Sequence, residues 1–241
     1  MSPSSSPSLS ANPSPCKPFT DLKAIVFDLD DTLFPEHQFV YSGFHAVSDW
    51  MRDHYNTANF FDVTWRLFLE GKRGTIFDQA LAELQIPFDA ALIRQLVQVY
   101  HNHTPKLTLH EDARWALEYF RSQKKLGLIT NGFVTTQQNK VRALGIESYF
   151  DFILYCGTLE RTDWKPSPVP YQKWMEAVDC EGESCVYVGD HPQKDFVGAR
   201  HWNWKTIRIC REDGEYGKMV ADVDDDADLS ITSLYELQNI C

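Results

Sequence analysis

Three aspartates lie within four positions, directly after a short apolar stretch. The sequence AIVFDLDDTLF covers residues 24–34, and its carboxylates belong to Asp28, Asp30 and Asp31. An ordinary surface turn does not require three like charges so close together. Carboxylates are the oxygen ligands that Mg²⁺ prefers, and they can also act as nucleophiles or as general acids. At this point the alternatives are a solvated turn and a site that binds a cation and carries out chemistry.

Three later apolar stretches are also followed by residues with reactive or ligand-binding groups. If these stretches are parallel strands, their carboxyl ends meet at one edge of a sheet, where open α/β sheets bind ligands. Four loops that lie far apart in sequence would then bring together four acids, a lysine and a hydroxyl group. The later residues are Thr130, Asn131, Gly132, Lys165, Asp190 and Asp195.

The pattern of apolar residues predicts such a sheet. Short apolar runs alternate with amphipathic stretches whose apolar residues recur at the spacing of one helical face. This alternation indicates βαβ units, and hence an α/β fold with a Rossmann-like parallel sheet covered by helices on both faces. The predicted strands are residues 24–27, 126–130, 152–156, 185–189 and 206–209, with a last short strand at 229–231.

One interval is far longer than a crossover helix requires. About a hundred residues separate the first predicted strand from the second, and they contain several amphipathic helical patterns. We therefore expect a helical cap subdomain at residues 35–104. It would be inserted into an α/β catalytic core formed by residues 20–34 and 105–241.

The composition places limits on the location and the partners of the protein. Residues 1–19 are rich in serine and proline, so a disordered leader is predicted, without the features of a secretion signal or transit peptide. No apolar run approaches the roughly 20 residues that cross a bilayer. The net charge of −11 disfavours nucleic acid and anionic membranes as partners. The six cysteines form no C-x-x-C pair, which favours reduced thiols in a cytoplasmic protein.

The polar groups form four short motifs that resemble a known family. The motifs are DLDDT at 28–32, TNG at 130–132, KP at 165–166 and GDHPQKD at 189–195. In this order they resemble the motifs of the haloacid dehalogenase superfamily, and the resemblance includes the position of the helical cap. In detail, the chain is similar to small-molecule phosphatases with a helical, C1-type cap. Phosphoglycolate phosphatases and nucleotidase-like enzymes are among them.

The resemblance implies hydrolysis of a phosphate monoester through an aspartyl-phosphate intermediate. Asp28 would be the nucleophile. Asp30 would protonate the leaving alcohol and then act as a base toward water. The phosphoryl group would be bound by Thr130, Asn131, Gly132 and Lys165.

The resemblance also implies Mg²⁺ as the cofactor. Its ligands would be the carboxylates of Asp28 and Asp190 and the backbone carbonyl of Asp30. Asp195 would not bind the ion directly but would hold a metal-bound water or Lys165. The negative charges would then cluster because a divalent cation and a lysine lie among them.

Several functions are compatible with these motifs. Halide-removing members of the superfamily lack an acid two residues after the nucleophile, so Asp30 disfavours dehalogenation. A phosphotransferase of the mutase type uses the same core, and a non-catalytic protein of this fold would bind a ligand without turnover. The predicted partner is a small phosphorylated metabolite, for which nucleotides and sugar phosphates are alternatives. The oligomeric state is left open.

Residues beside the motifs receive more modest interpretations. Asp31 and Thr32 are expected to shape the loop after the first strand, and the side chain of His191 is expected either to be solvated or to stabilise its own loop. A solvated loop is the favoured interpretation of the basic pair KR in the cap. Candidates in the cap for contact with the substrate are His37, Tyr41, Lys72 and Arg73.

Overall fold

The structure is a computed structural model that describes residues 19–222 and 224–241. Residues 1–18 of the predicted leader, and Val223 in the acidic stretch near the C-terminus, lie outside the described residues. The strands form one parallel sheet in the order β3-β2-β1-β4-β5-β6. They are β1 (Ala24–Phe27), β2 (Lys125–Thr130), β3 (Phe152–Tyr155), β4 (Cys185–Gly189), β5 (Lys205–Ile209) and β6 (Leu229–Ile231).

Helices connect these strands and also fill the long interval after β1. The first five α-helices lie between β1 and β2, the fifth as the crossover helix, and the other four lie between later strands. The α-helices are α1 (Glu36–Tyr55), α2 (Phe60–Leu69), α3 (Ile76–Glu83), α4 (Ala90–Asn102), α5 (Glu111–Phe120), α6 (Val134–Leu144), α7 (Val169–Val178), α8 (Pro192–Asp195) and α9 (Val197–His201).

The sheet is buried on both faces because successive strand residues point to opposite sides. In β1, Ile25 and Phe27 pack in a cluster with residues of α5 and α6. Ala24 and Val26 pack in a second cluster with residues of α7 and α9. All four side chains are fully buried. The predicted α/β class, with a parallel sheet and helices on both faces, is therefore confirmed.

The helical segment between β1 and β2 has an apolar core of its own. Residues of α1 to α4, among them Val47, Met51, Phe60 and Leu96, form a buried cluster separate from those of the sheet. In α1 the backbone approaches α4 closely, since a Cβ atom at Gly43 would lie 2.5 Å from the ring of Tyr100. The segment can therefore keep its own shape while it lies beside the sheet edge.

The cysteines of the described residues form no disulfides with one another. The five cysteines within the described residues are free, and Cys156 and Cys185 are buried. Among the described helices, none has both the length and the apolar character that crossing a bilayer requires.

A buried ion pair connects α5, the loop after β5 and the loop after β1. The Oδ2 atom of Asp112 accepts hydrogen bonds from the guanidinium of Arg211 at 2.7 Å, from the hydroxyl of Ser233 at 2.9 Å and from the backbone N–H of Leu234 at 2.8 Å. Arg211 also donates to the carbonyl of Thr32 at 2.9 Å. This network fixes the loop that carries the first motif against the C-terminal part of the chain.

Substitution of Asp112 by Asn is expected to lower the free energy of unfolding by about 3 kcal/mol, because it leaves the buried guanidinium without its counter-charge. Urea unfolding at pH 7 measures this change. The control is Asp49→Asn, which removes a pair with Arg52 whose side chains are 60% and 59% exposed. That loss should stay within about 0.5 kcal/mol.

The effect of Asp112→Asn should also depend on pH. Burial alone would raise the pKa of Asp112, but the hydrogen bond and charge of Arg211, with Leu234 and Ser233, outweigh burial and lower it. A lowered pKa adds stability that is fully present above the unfolded-state pKa of about 3.9 and is lost as the pH falls below it. The difference from wild type should therefore shrink below about pH 4. A constant difference from pH 7 to pH 3 would contradict this account.

Candidate active site

The carboxyl ends of adjacent strands bring the predicted residues to one edge of the sheet. β1 pairs with β2 on one side and with β4 on the other, so the loops that follow these strands are neighbours. A cavity of about 190 Å³ opens at this edge. The predicted residues that line it are Asp28, Asp30, Asn131, Lys165, Asp190 and Asp195. Gly132 lines an adjoining cavity.

The ammonium group of Lys165 is the buried centre of the site. Its side chain is 2% exposed and donates to Asp28 Oδ1 at 2.5 Å, to Asp195 Oδ1 at 2.7 Å and to the hydroxyl of Tyr187 at 2.8 Å. These three acceptors use the full donor capacity of an ammonium group. Burial alone would lower the pKa of Lys165, but the charges of Asp195 and Asp28 outweigh it and raise the pKa well above its ordinary value. Lys165 therefore remains a cation.

Asp28 is a buried carboxyl group in a crowded negative environment. It is 7% exposed. Burial raises its pKa to about 7, Lys165 opposes this shift, and Asp195 and Asp30 add to it. Such a carboxylate is poorly solvated and faces a cavity, which are favourable conditions for a nucleophile.

The protein provides few positive groups or hydrogen-bond donors for the carboxylate of Asp190. The carboxylates of Asp28, Asp190 and Asp195 each place one oxygen within 4.8 Å of the other two. Within the described part of the chain, Asp190 accepts no hydrogen bond through its carboxylate, although it is 5% exposed. Burial, with Asp195 and Asp28, raises its pKa well above the ordinary value. Closely spaced oxygen donors with excess negative charge fit a divalent cation such as Mg²⁺.

The structure places the carboxylate of Asp30 apart from this group. Its Oδ1 accepts from Lys140 Nζ at 2.6 Å and its Oδ2 from Gln137 Nε2 at 3.0 Å, both on α6. Lys140 is nearly buried, with a side chain that is 4% exposed, and its ammonium lies 4.4 Å from the ring centre of Phe39. Two donors thus fix the orientation of the Asp30 carboxylate at the mouth of the site.

Gln137 and Lys140 were not predicted from the sequence. They lie three positions apart on α6, on the same helical face as the buried Thr136 and Val141. Polar residues at apolar positions of an amphipathic pattern are the signal that could have identified them. A buried amide and a buried ammonium require partners, and an acid at the sheet edge is the natural one.

The loop after β2 is held against the loop that carries Lys165. The side chain of Asn131 accepts from the backbone N–H of Lys165 at 3.1 Å and donates to its carbonyl at 3.0 Å. The hydroxyl of Thr130, which is 1% exposed, accepts from Gln137 at 2.6 Å. Gly132 adopts a φ of 137°, a conformation that favours glycine. The side chain of Asn131 is therefore bonded within the protein, where it joins the two loops.

Asp31 and His191 contact neighbouring loops. Asp31 accepts from the backbone N–H of Glu36 at 2.8 Å and of Glu215 at 3.1 Å, so it joins the start of α1 to the loop after β5. The backbone N–H of His191 donates to Asp195 Oδ2 at 2.9 Å, and its ring packs on Tyr216. These contacts are structural, as the sequence interpretation proposed for both residues.

The four cap candidates separate into two groups. His37 and Arg73 line a cavity that adjoins the site. Lys72 and Tyr41 line none of the cavities at this edge, and the ring of Tyr41 packs on Phe61 instead. Only the first two lie where they can meet a substrate in this conformation.

The fold and the site belong to one family. Residues 25–209 match the haloacid dehalogenase-like hydrolases, and this chain is a member of that family, as the four motifs predicted. The assignment defines a hydrolase with a parallel sheet and a site at its carboxyl edge. The individual residue roles and the cap type stay predictions.

Relatives in this family include named phosphatases. The glyceraldehyde 3-phosphate phosphatase of Methanocaldococcus jannaschii is 28% identical over 227 residues, 91% of this chain and 96% of that protein. The pyrophosphatase PpaX of Bacillus mycoides is 25% identical over 196 residues, 78% of this chain and 83% of that protein. A solved 2-haloacid dehalogenase from Pseudomonas syringae shares the fold, with a TM-score of 0.63 at 24% identity over 91% of this chain and 97% of that chain.

Replacement of Lys165 by Met should lower the free energy of unfolding by about 3–5 kcal/mol, because it leaves two buried carboxylates without their cation. Chemical denaturation followed by circular dichroism measures the change. Lys173→Met on the exposed side of α7 is the matched control and should change stability little. Equal stabilities of the two variants would contradict the central place of Lys165 in the site.

Proposed function

We propose that the protein is a Mg²⁺-dependent phosphatase that hydrolyses a small-molecule phosphate monoester through an aspartyl-phosphate on Asp28. The observation that carries this proposal is the buried Asp28 carboxylate, held by Lys165 beside two further carboxylates, with Asp30 two residues away at the mouth of the site. The name of the Methanocaldococcus jannaschii relative, a glyceraldehyde 3-phosphate phosphatase, supports phosphate ester hydrolysis. The proposed substrate is a phosphorylated metabolite.

In the first step, a carboxylate oxygen of Asp28 forms a bond to phosphorus while the bond from phosphorus to the ester oxygen breaks. Asp30 transfers a proton to the departing oxygen, so that an alcohol leaves. In the second step, Asp30 takes a proton from water as the water oxygen bonds to phosphorus. The bond from phosphorus to Asp28 then breaks, which releases phosphate and restores the carboxylate.

The other residues stabilise charge and position the reacting groups. Lys165 would place a fixed positive charge beside Asp28, and the backbone amides of Asn131 and Gly132 would donate to phosphoryl oxygens. Asp28, Asp190 and the carbonyl of Asp30 would hold Mg²⁺, which supplies a Lewis acid that screens the negative charges. The contact of Asp195 with Lys165 suits a positioning role.

The nucleophile and the cofactor can be tested together by phosphate release from a panel of phosphate monoesters. Wild-type protein should release phosphate with Mg²⁺ and not with excess chelator. Asp28→Asn, which keeps the side-chain shape, should lose on the order of 10⁴-fold or more in kcat. The exposed Asp49→Asn is the control for the assay and should match wild type.

Release that persists in Asp28→Asn would overturn the nucleophile assignment. Isomerisation of a sugar phosphate with little release of free phosphate would instead identify a phosphotransferase. If the folded wild-type protein released phosphate from no ester of the panel, the result would favour a non-catalytic binding function.

The role of Asp30 can be tested by changing the leaving group. Asp30→Asn should slow first-turnover cleavage of an alkyl phosphate by about 10²–10⁴-fold. It should affect p-nitrophenyl phosphate far less, because nitrophenolate leaves without a proton. Lys140→Met should show the same selectivity in weaker form, since it releases the Asp30 carboxylate, and Lys140→Arg should restore part of the rate. If Lys140→Met slowed the cleavage of both esters equally, Lys140 would have only a structural role.

A further inference from the structure

A second and larger cavity adjoins the catalytic one. Its volume is about 580 Å³, and it lies between the helical segment and the loop after β5. The two cavities share Asp31 and Glu36 as lining residues, so a ligand can extend from one into the other. The proposed chemistry at Asp28 uses only the smaller cavity. The volume of the larger one is in the range of pockets that enclose whole small molecules, about 300–1,000 Å³.

The wall of this cavity is largely apolar and aromatic. The rings of Phe44 and Phe77 meet edge to face, with centroids 5.9 Å apart, and the ring of Tyr100 lies 5.8 Å from Phe44 and 6.0 Å from Phe77. Phe44 and Phe77 are 3% and 9% exposed, so packing within the segment fixes their positions. The remaining apolar lining residues are Val40, Phe68, Ile76 and Val97.

Charged residues also line this cavity, among them Glu36, Arg73 and Glu215. The guanidinium of Arg73 stacks over Phe68 at 4.1 Å and forms an ion pair with Glu215 at 3.8 Å, which joins the segment to the loop after β5. The backbone N–H of Glu215 also donates to Asp31 at 3.1 Å. The cavity is thus connected to the loop of the first motif, and it meets the catalytic cavity at Asp31 and Glu36.

We propose that this cavity binds an apolar, ring-containing part of the substrate alcohol. The substrates are then phosphate monoesters of apolar alcohols rather than of short polyols. Hydroxyl groups of a polyol that lay against the rings of Phe44, Phe68 and Phe77 would find no hydrogen-bond partner there, which is unfavourable, whereas an apolar ring in that position removes surface from water on both sides. This inference rests on the phosphatase function proposed for the same site.

The test compares two esters of primary alcohols, 2-phenylethyl phosphate and glycerol 3-phosphate. Wild-type protein should hydrolyse the phenylethyl ester with a kcat/KM roughly 10- to 100-fold higher, the ratio expected from burial of one ring. Equal values, or a preference for the glycerol ester, in an activity that Asp28→Asn abolishes would overturn the inference and leave the phosphatase function standing.

Variants of the cavity wall test whether the preference for the phenylethyl ester arises in this cavity. Phe68→Ala should remove most of the kcat/KM advantage of the phenylethyl ester over the glycerol ester. Val97→Trp, at a position that is 37% exposed, should fill the cavity without disturbing the core and have the same effect. The control is Leu69→Ala, the next residue on α2, which is 68% exposed and does not line the cavity. A preference that survives both wall variants would contradict the assignment.

A binding measurement separates the two proposals if no ester is hydrolysed. Calorimetric titration of wild-type protein with 3-phenylpropylphosphonate and with propylphosphonate, in Mg²⁺, needs no turnover. The phenyl compound should bind roughly 10- to 100-fold more tightly, with a negative heat-capacity change that marks apolar burial. This preference without ester hydrolysis would keep the cavity assignment and reject the phosphatase. Equal affinities would reject the cavity assignment.

Discussion

The buried ammonium of Lys165 is the interaction on which the rest of the site depends. It comes from the connection after β3, yet it bonds to Asp28 after β1 and to Asp195 after β4. Removal of such charges from water costs several kcal/mol per ion, so each is tolerated only with its partners in place. The three loops must therefore meet at one point. The charges of Asp28, Asp190 and Asp195 exceed what one lysine can neutralise, and this excess is the physical reason to expect a divalent cation.

Much of this arrangement could be predicted because a parallel sheet has a simple sequence signature. The strands 24–27 and 185–189 are short apolar runs that end in acids, and the structure gives them the predicted bounds. Strand ends share one edge, so the meeting of Asp28, Asp190 and Lys165 followed from the predicted topology. The partners of Asp30 could not be predicted in this way. Their contact with Asp30 depends on how α6 packs, which apolar periodicity alone does not determine.

The helical segment and the sheet are coupled through the few residues that connect them. Asp31 accepts hydrogen bonds from the N–H groups of Glu36, at the start of α1, and of Glu215, in the loop after β5. Lys140 lies between Asp30 and Glu36, at 2.6 and 3.8 Å. A movement of α1 would therefore alter the surroundings of the proposed general acid. The proposed substrate contacts in the segment and the proposed proton transfer at the sheet edge are thus joined by a short run of chain.

The overall charge of the protein makes the local cations more significant. A net charge of −11 repels a phosphate ester at long range. A third cavity of about 420 Å³ adjoins the site, and its lining includes the cations Lys140, Arg161, Lys165 and Lys194 together with Asp30 and Glu36. Screening weakens the general repulsion beyond about 8 Å at physiological ionic strength, whereas these nearby cations act within the cavity itself. An anion that reaches the sheet edge therefore meets these cations next to the carboxylates that would hold the metal. Lys165 itself contacts Asp28 at 2.5 Å, so positive and negative groups are neighbours there, and local positive charge is present although the protein as a whole is acidic.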